Sequence, residues 1–139
     1  MEKIALVDDD PVILEVFTHF IELFGYVPLP FLNPVEAIKK IPEEDPAPAL
    51  ILLDLMMTPI TGLQFLEERR QIARLASIPV MIVSAWDISE RDQENYRNDI
   101  AGIIKKPIMP KEMQKIISNQ IATHRMDTGK ATIPPGSAG

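Results

Sequence analysis

Ala49-Leu50-Ile51-Leu52-Leu53-Asp54, residues 49–54, reads as a buried β-strand that ends on a carboxylate. The run is continuously apolar rather than alternating, which is the pattern of a strand covered on both faces. Similar short runs lie on either side of it. Ile4-Ala5-Leu6-Val7 precedes Asp8, Asp9 and Asp10, and Pro79-Val80-Met81-Ile82-Val83 precedes Ser84. Residues 101–105 form a last short strand, ending at Lys105 and Lys106 before Pro107. Residues 26–31 form a weaker one, in which Pro28 and Pro30 exclude the centre of a sheet and predict an edge strand.

Helical patterns fill the intervals. Asp10 offers an N-cap and Pro11 suits the first helical position. Ile13, Phe17, Phe20 and Phe24 then recur at helical spacing until Gly25 ends the helix. Asn33-Pro34 opens a short second helix bearing Val35, Ile38 and Ile41. Thr61 and Gln64 stand at capping-box spacing, so a third helix starts near Gly62. Ser89 and Asp92 match another cap, but the fourth helix behind them is mostly polar. Its apolar side is Ile88, Tyr96 and Ile100, and it is expected to be loosely held. Pro110 opens a fifth helix with Met113, Ile116, Ile117 and Ile121 on one stripe. Strands alternating with helices give five βα units. The fold class is therefore α/β, a doubly wound five-stranded parallel sheet with five helices.

The chain has 139 residues, enough for one domain with a real core. Apolar residues make up 46% of it, which excludes a disordered acidic chain. The absence of cysteine excludes disulfides, thiolate metal sites and cysteine nucleophiles, and suits a reducing compartment. A net charge of −6 argues against direct nucleic-acid binding. No apolar run approaches the roughly 20 residues that span a bilayer, and no secretory signal precedes the first strand. A cytoplasmic location is the expectation. The domain is expected to occupy residues 1–125. Residues 126–139, rich in Gly, Pro, Ser, Thr and Ala, are expected to form a flexible tail or a truncated linker.

Open parallel sheets place their sites at the carboxyl ends of the strands. The residues there are Asp8, Asp9 and Asp10, then Asp54, then Ser84, then Lys105 and Lys106. Converging carboxylates repel one another unless a cation sits among them. With neither His close by in sequence and no Cys, the ligands are hard oxygens, which suit Mg²⁺ better than Zn²⁺. A Mg²⁺ held by few protein oxygens keeps positions open for phosphoryl oxygens. A lysine charge, a serine donor and a central carboxylate nucleophile complete the parts of a phosphoryl-transfer site. Singly, each residue has an ordinary explanation as a turn or cap, and Asp10 fits a cap best. The case rests on all four positions falling at the ends of different strands.

These residues, in this order, resemble the response-regulator receiver domain of two-component signalling. The resemblance covers roughly residues 3–124. It is carried by Ile4–Pro11, Leu50–Met56, Gly62, Ile78–Ala85 and Lys106-Pro107. Asp54 precedes Ser84 by 30 residues, Ser84 precedes Lys106 by 22, and Gly62 follows Asp54 by eight. The resemblance implies a flavodoxin-like (βα)5 fold with strand order 2-1-3-4-5. It implies that Asp54 is the phosphoryl acceptor, and that Asp8, Asp9, Asp54 and the backbone carbonyl of Met56 hold Mg²⁺. Ser84 would bond the phosphoryl group, and Lys106 would pair with Asp54 or its phosphate across an often cis Lys-Pro bond. The donor would be a phosphohistidine on a histidine kinase or a histidine phosphotransfer protein. Output would pass to a downstream protein or a missing C-terminal effector domain, with dimerisation through the fourth helix, fifth strand and fifth helix as one route. Such a chain is a signalling switch rather than an enzyme, catalysing only its own phosphorylation and dephosphorylation.

Three positions depart from the family pattern. Thr58, followed by Pro59, stands where a proline four residues after the acceptor is usual. Ile103 replaces the usual aromatic partner of Ser84. Trp86 lies close to the expected mouth of the site, either shaping it or packing on the fourth helix. Thr58 and Ile103 give some support to an alternative, a receiver-like interaction module that does not use phosphorylation. The complete set of acids, Ser and Lys opposes it. A haloacid-dehalogenase-type phosphatase needs an Asp where Met56 stands, and a flavodoxin needs a Ser/Thr/Gly loop where Asp8, Asp9 and Asp10 stand. His19 and His124 lack partners at metal-ligand spacing and read as surface or boundary residues.

Overall fold

The apolar runs form strands, and their burial shows why. All of Leu50, Ile51, Leu52 and Leu53 are buried, as are Ile4, Ala5, Leu6 and Val7. The computed structural model describes residues 1–132, with side chains described as far as His124. β1 (Lys3–Val7), β2 (Val27–Phe31), β3 (Leu50–Leu53), β4 (Val80–Ser84) and β5 (Gly102–Lys105) make one parallel sheet in the order β2-β1-β3-β4-β5. This is the flavodoxin-like topology expected. β2 is an edge strand, as its prolines require. Val27 donates its N–H to Glu2 of the neighbouring chain segment. Pro28 and Pro30 therefore remove donors only from the open side, which blunts that edge against further pairing.

The helices among the described residues are α1 (Pro11–Leu23), α2 (Pro34–Lys40), α3 (Gly62–Arg69), α4 (Ala73–Ala76), α5 (Glu90–Asn95) and α6 (Pro110–Thr132). The five expected helices are present, with one addition. The third breaks, and the single turn α4 follows it. Gln71 and Ile72 close tighter bonds back to Glu68 and Arg69, and Ile72 then turns extended, which ends α3. The helix expected fourth is thus α5. The caps fall where the sequence puts them. Asp10 accepts from Val12 and Ile13, Asn33 from Val35 and Glu36, and Ser89 from Asp92. Thr61 and Gln64 make a reciprocal capping box.

Residues 1–108 form one compact unit, and α6 lies in a second that begins at Met109. In the first unit one sheet face carries Ala5, Val7, Ile51, Leu53, Val80 and Ile82, packed with Ala37, Ile41, Phe65, Leu66 and Leu75 of α2, α3, α4 and the turn after α2. The opposite face packs against α1, where Leu6, Leu52 and Val83 meet Leu14 and Phe17. α1 buries Leu14, Phe17 and Ile21. The expected stripe of Ile13, Phe17, Phe20 and Phe24 is therefore corrected by a rotation of the helix. α1 is apolar almost all round, with Val12, Val16 and Leu23 exposed, so periodicity alone does not fix its inner face. In the second unit, among the described side chains of α6, Met113, Ile117 and Ile121 are buried. The helix continues to Thr132, through the stretch where the sequence reading starts a tail. Residues 133–139 lie outside the described residues.

Candidate functional site

Sheet register assembles the site. Val7 pairs with Leu53, so Asp8 and Asp54 leave neighbouring strands side by side, and Asp54 donates its N–H to Val7 at 3.0 Å. Ser84 ends β4 opposite Lys105, and Lys106 donates its N–H to the Ser84 carbonyl at 2.9 Å. β1 and β3 flank the point where strand order reverses, the crevice in which open α/β sheets place their sites. Asp8, Asp54 and Ser84 are all buried there.

Lys106 bridges the two buried carboxylates. Its Nζ lies 2.8 Å from Asp8 Oδ2 and 3.7 Å from Asp54 Oδ2. The sequence reading pairs Lys106 with Asp54; its shorter contact is with Asp8. The ammonium also sits 5.6 Å from the Phe17 ring centroid. Lys105 points elsewhere and pairs with Asp87, which leaves Lys106 as the lysine of the crevice. The Lys106–Pro107 peptide is cis, as expected. Asp54 Oδ1 accepts from the Leu55 N–H at 2.8 Å. The Asp54 carboxyl titrates above its ordinary value. Burial is the largest cause, the Asp8 charge adds to it, and Lys106, the Leu55 N–H and the Ser84 hydroxyl oppose it.

The β3–α3 loop closes one side. Gly62 donates its N–H to the Leu55 carbonyl at 2.7 Å. A Cβ there would lie 2.9 Å from Leu55 Cα and would collide with the Asp54 carbonyl oxygen, so the position accepts only glycine. Thr58 bonds Asp9 twice, through its N–H at 3.0 Å and its hydroxyl at 3.3 Å to the same oxygen, Oδ2. The sequence marks Thr58 only as a departure and gives no sign of this contact. Trp86 donates its N–H to Ser84 Oγ at 3.1 Å. Its ring is exposed and, with Met56, Leu63 and Ile88, lines a groove of about 180 Å³ beside the crevice. Trp86 thus lies beside the crevice and also next to Ile88 and Asp92 at the start of α5, so its position agrees with both readings. Ile103 is exposed on β5, and Asp10 serves as the α1 cap. His19 is exposed on α1.

One carboxylate oxygen from each of Asp8, Asp9 and Asp54 falls within 4.8 Å of the others. Among the described residues, Lys106 is the one cation paired with Asp8 and Asp54, and Asp9 has none. An all-oxygen, electron-rich cluster of this size fits Mg²⁺, and a cation there would offset the burial and the Asp8 charge that together raise the Asp54 pKa. No helix among the described residues is long and apolar enough to cross a membrane.

Residues 4–118 match the family described as the response regulator receiver domain. The chain is 31% identical to the response regulator Rre1 of Synechocystis sp. over 86% of its own length and 52% of that protein's. It is 31% identical to the phosphate regulon transcriptional regulatory protein PhoB of Klebsiella pneumoniae, over 80% of its own length and 48% of that protein's. It thus spans about half the length of these curated relatives. The CheY-like receiver domain protein of Methanospirillum hungatei superposes with a TM-score of 0.80, at 21% identity, covering 91% of this chain and 98% of that one. The N-terminal domain of a response regulator receiver protein from Methanoculleus marisnigri gives a TM-score of 0.71 at 28% identity, covering 86% and 95%. With the fold, the crevice and the family match in agreement over most of its length, the chain belongs to the response regulator receiver domains of two-component signalling.

Proposed function

We propose that Asp54 accepts a phosphoryl group from a phosphohistidine on a histidine kinase or histidine phosphotransfer protein, in a reaction that depends on Mg²⁺. The observation that carries this reading is the asymmetric environment of the Asp54 carboxylate. The Leu55 N–H fixes Oδ1, and Oδ2 is left facing Lys106 in the crevice. Oδ2 is the attacking atom. As its bond to phosphorus forms, the bond from phosphorus to the donor imidazole breaks, and the electron pair leaves with that nitrogen. Asp8, Asp9, Asp54 and the Met56 carbonyl would hold the Mg²⁺, which neutralises charge on the phosphoryl oxygens when bound. Lys106 supplies a further positive charge beside Asp8 and Asp54. Ser84 Oγ accepts from the Trp86 N–H, and its own proton, which acts on the Asp54 carboxyl, would turn to a phosphoryl oxygen after transfer.

Phosphorylation adds negative charge where Ser84 and Lys106 can respond. Ser84 is the register partner of Lys105, so a shift of Ser84 acts directly on β5. Output passes to a protein partner, either a separate target or an effector region elsewhere in a longer protein. The acidic domain itself is not proposed to bind nucleic acid. The test is labelling with a small-molecule phosphodonor. Label should enter the wild type only with Mg²⁺ and should vanish in Asp54→Asn. Label that persists in Asp54→Asn, or none in the wild type, overturns the reading.

A further inference from the structure

Three carboxylates meet in the crevice, and each has an orienting partner. Asp8 Oδ1 accepts from the Asp10 N–H at 3.0 Å, and its Oδ2 holds Lys106. Asp54 Oδ1 is held by the Leu55 N–H. Both are buried, so packing also limits their rotamers. Asp9 is different. It is only partly buried, it pairs with no cation, and Asp10 rather than Asp9 caps α1. Among the described residues, its side-chain hydrogen bonds all come from Thr58, 49 residues away in the chain. Both bonds end on Oδ2, so Oδ1 is left without a donor and is the oxygen available to a cation.

We propose that Thr58 is a positioning residue for the metal site. Its N–H and hydroxyl select the Asp9 rotamer that presents Oδ1 to the crevice. The proposal rests on the reading that Asp8, Asp9 and Asp54 hold Mg²⁺, and names a residue that tunes it. Carboxylate ligands are generally held in place by such outer hydrogen bonds, whose loss weakens metal binding by roughly 10–100-fold. The contact also fastens the loop. Leu55 is tied to Gly62 at one end and Thr58 to Asp9 at the other, with Met56 between them. One residue therefore sets two of the proposed ligands, the Asp9 carboxylate directly and the Met56 carbonyl through the chain.

Mg²⁺ titration of the full chain by calorimetry tests this. Thr58→Val keeps the shape and the N–H but loses the hydroxyl. Because the pair is exposed, its Kd for Mg²⁺ should rise by about tenfold, the low end of that range. Thr58→Ser keeps both donors and should bind as the wild type does. The metal-free melting midpoints of all three should coincide, which separates positioning from a general loss of structure. Wild-type affinity in Thr58→Val overturns the positioning role and leaves the phosphoacceptor reading standing. An equal loss in Thr58→Ser, or a lowered metal-free midpoint in Thr58→Val, also overturns it. A wild type that binds no Mg²⁺ overturns both.

Discussion

Asp54 bears the chemistry, and its environment sets a stability cost that can be measured. Its folded pKa lies above the ordinary 3.8, chiefly through burial and then through Asp8. An acid with a raised folded pKa holds its proton more tightly when folded than when unfolded. Its ionisation therefore removes stability as pH rises from the ordinary carboxylate range through the raised folded value, and the loss is complete above it. In the metal-free protein, Asp54→Asn should thus raise the melting midpoint at pH 7. The gain should shrink as pH falls into the ordinary carboxylate range. Thermal unfolding in chelator at pH 7 and near pH 4 checks this, and a midpoint unchanged or lowered at pH 7 contradicts it. The acids, Ser84 and Lys106 were legible because each follows directly on an apolar strand. The Thr58–Asp9 contact was not, because it joins two loops and leaves no periodic mark. Nor could sequence alone tell that Lys106 sits closer to Asp8 than to Asp54, since that depends on side-chain reach within the crevice.

Among the elements, α5 qualifies the expectation of a loosely held helix. Its six residues bury nothing, as the polar sequence suggests. The turn behind it is fastened to α3. Arg70 forks onto Asp99, with a shortest distance of 2.6 Å, and lies over the Tyr96 ring. Tyr96 donates its hydroxyl to Glu67 at 2.7 Å. Arg69 is buried, donates to the carbonyls of Ala76 and Ile78, and lies 3.7 Å from Asp99. Burial disfavours the Arg69 charge, and Asp99 offsets this only in part. Asp99 and Arg70 should therefore respond differently to mutation. Asp99→Asn leaves Arg69 buried without a counter-charge and should cost roughly 3 kcal/mol. Arg70→Ala removes an exposed partner and should cost under about 1 kcal/mol. Urea denaturation gives both values, and equal costs would contradict the assignment. The helix caps were readable from sequence because a cap is a local pattern of two or three residues. The rotation of α1 was not, because phenylalanine, valine, leucine and isoleucine surround that helix on nearly every side. The break before α4 has no local sequence mark either. It depends on Ile72 turning extended and on Arg69 reaching the carbonyls beyond it.

For the whole molecule, the continuous apolar runs and the prolines tell covered strands from an edge strand, while the full order β2-β1-β3-β4-β5 is what the family resemblance implies. β1, β3 and β4 read as covered strands and occupy the middle, and proline-bearing β2 takes an edge. That order alone brings the ends of β1 and β3 together, so the fold and the crevice are one inference. The chain spans about half of the curated relatives described above. The output of any longer protein is thus a separate question from the chemistry at Asp54. The central claim is that the Asp54 carboxylate forms the bond to phosphorus. Borohydride reduction of the phosphodonor-treated, Mg²⁺-loaded chain, followed by peptide mass spectrometry, tests it most directly, because an aspartyl phosphate is reduced to homoserine at the modified position. The account predicts homoserine at position 54 and nowhere else, and none when Mg²⁺ is withheld. Homoserine at position 8 or 9, or equal conversion of Asp54 without Mg²⁺, would contradict it.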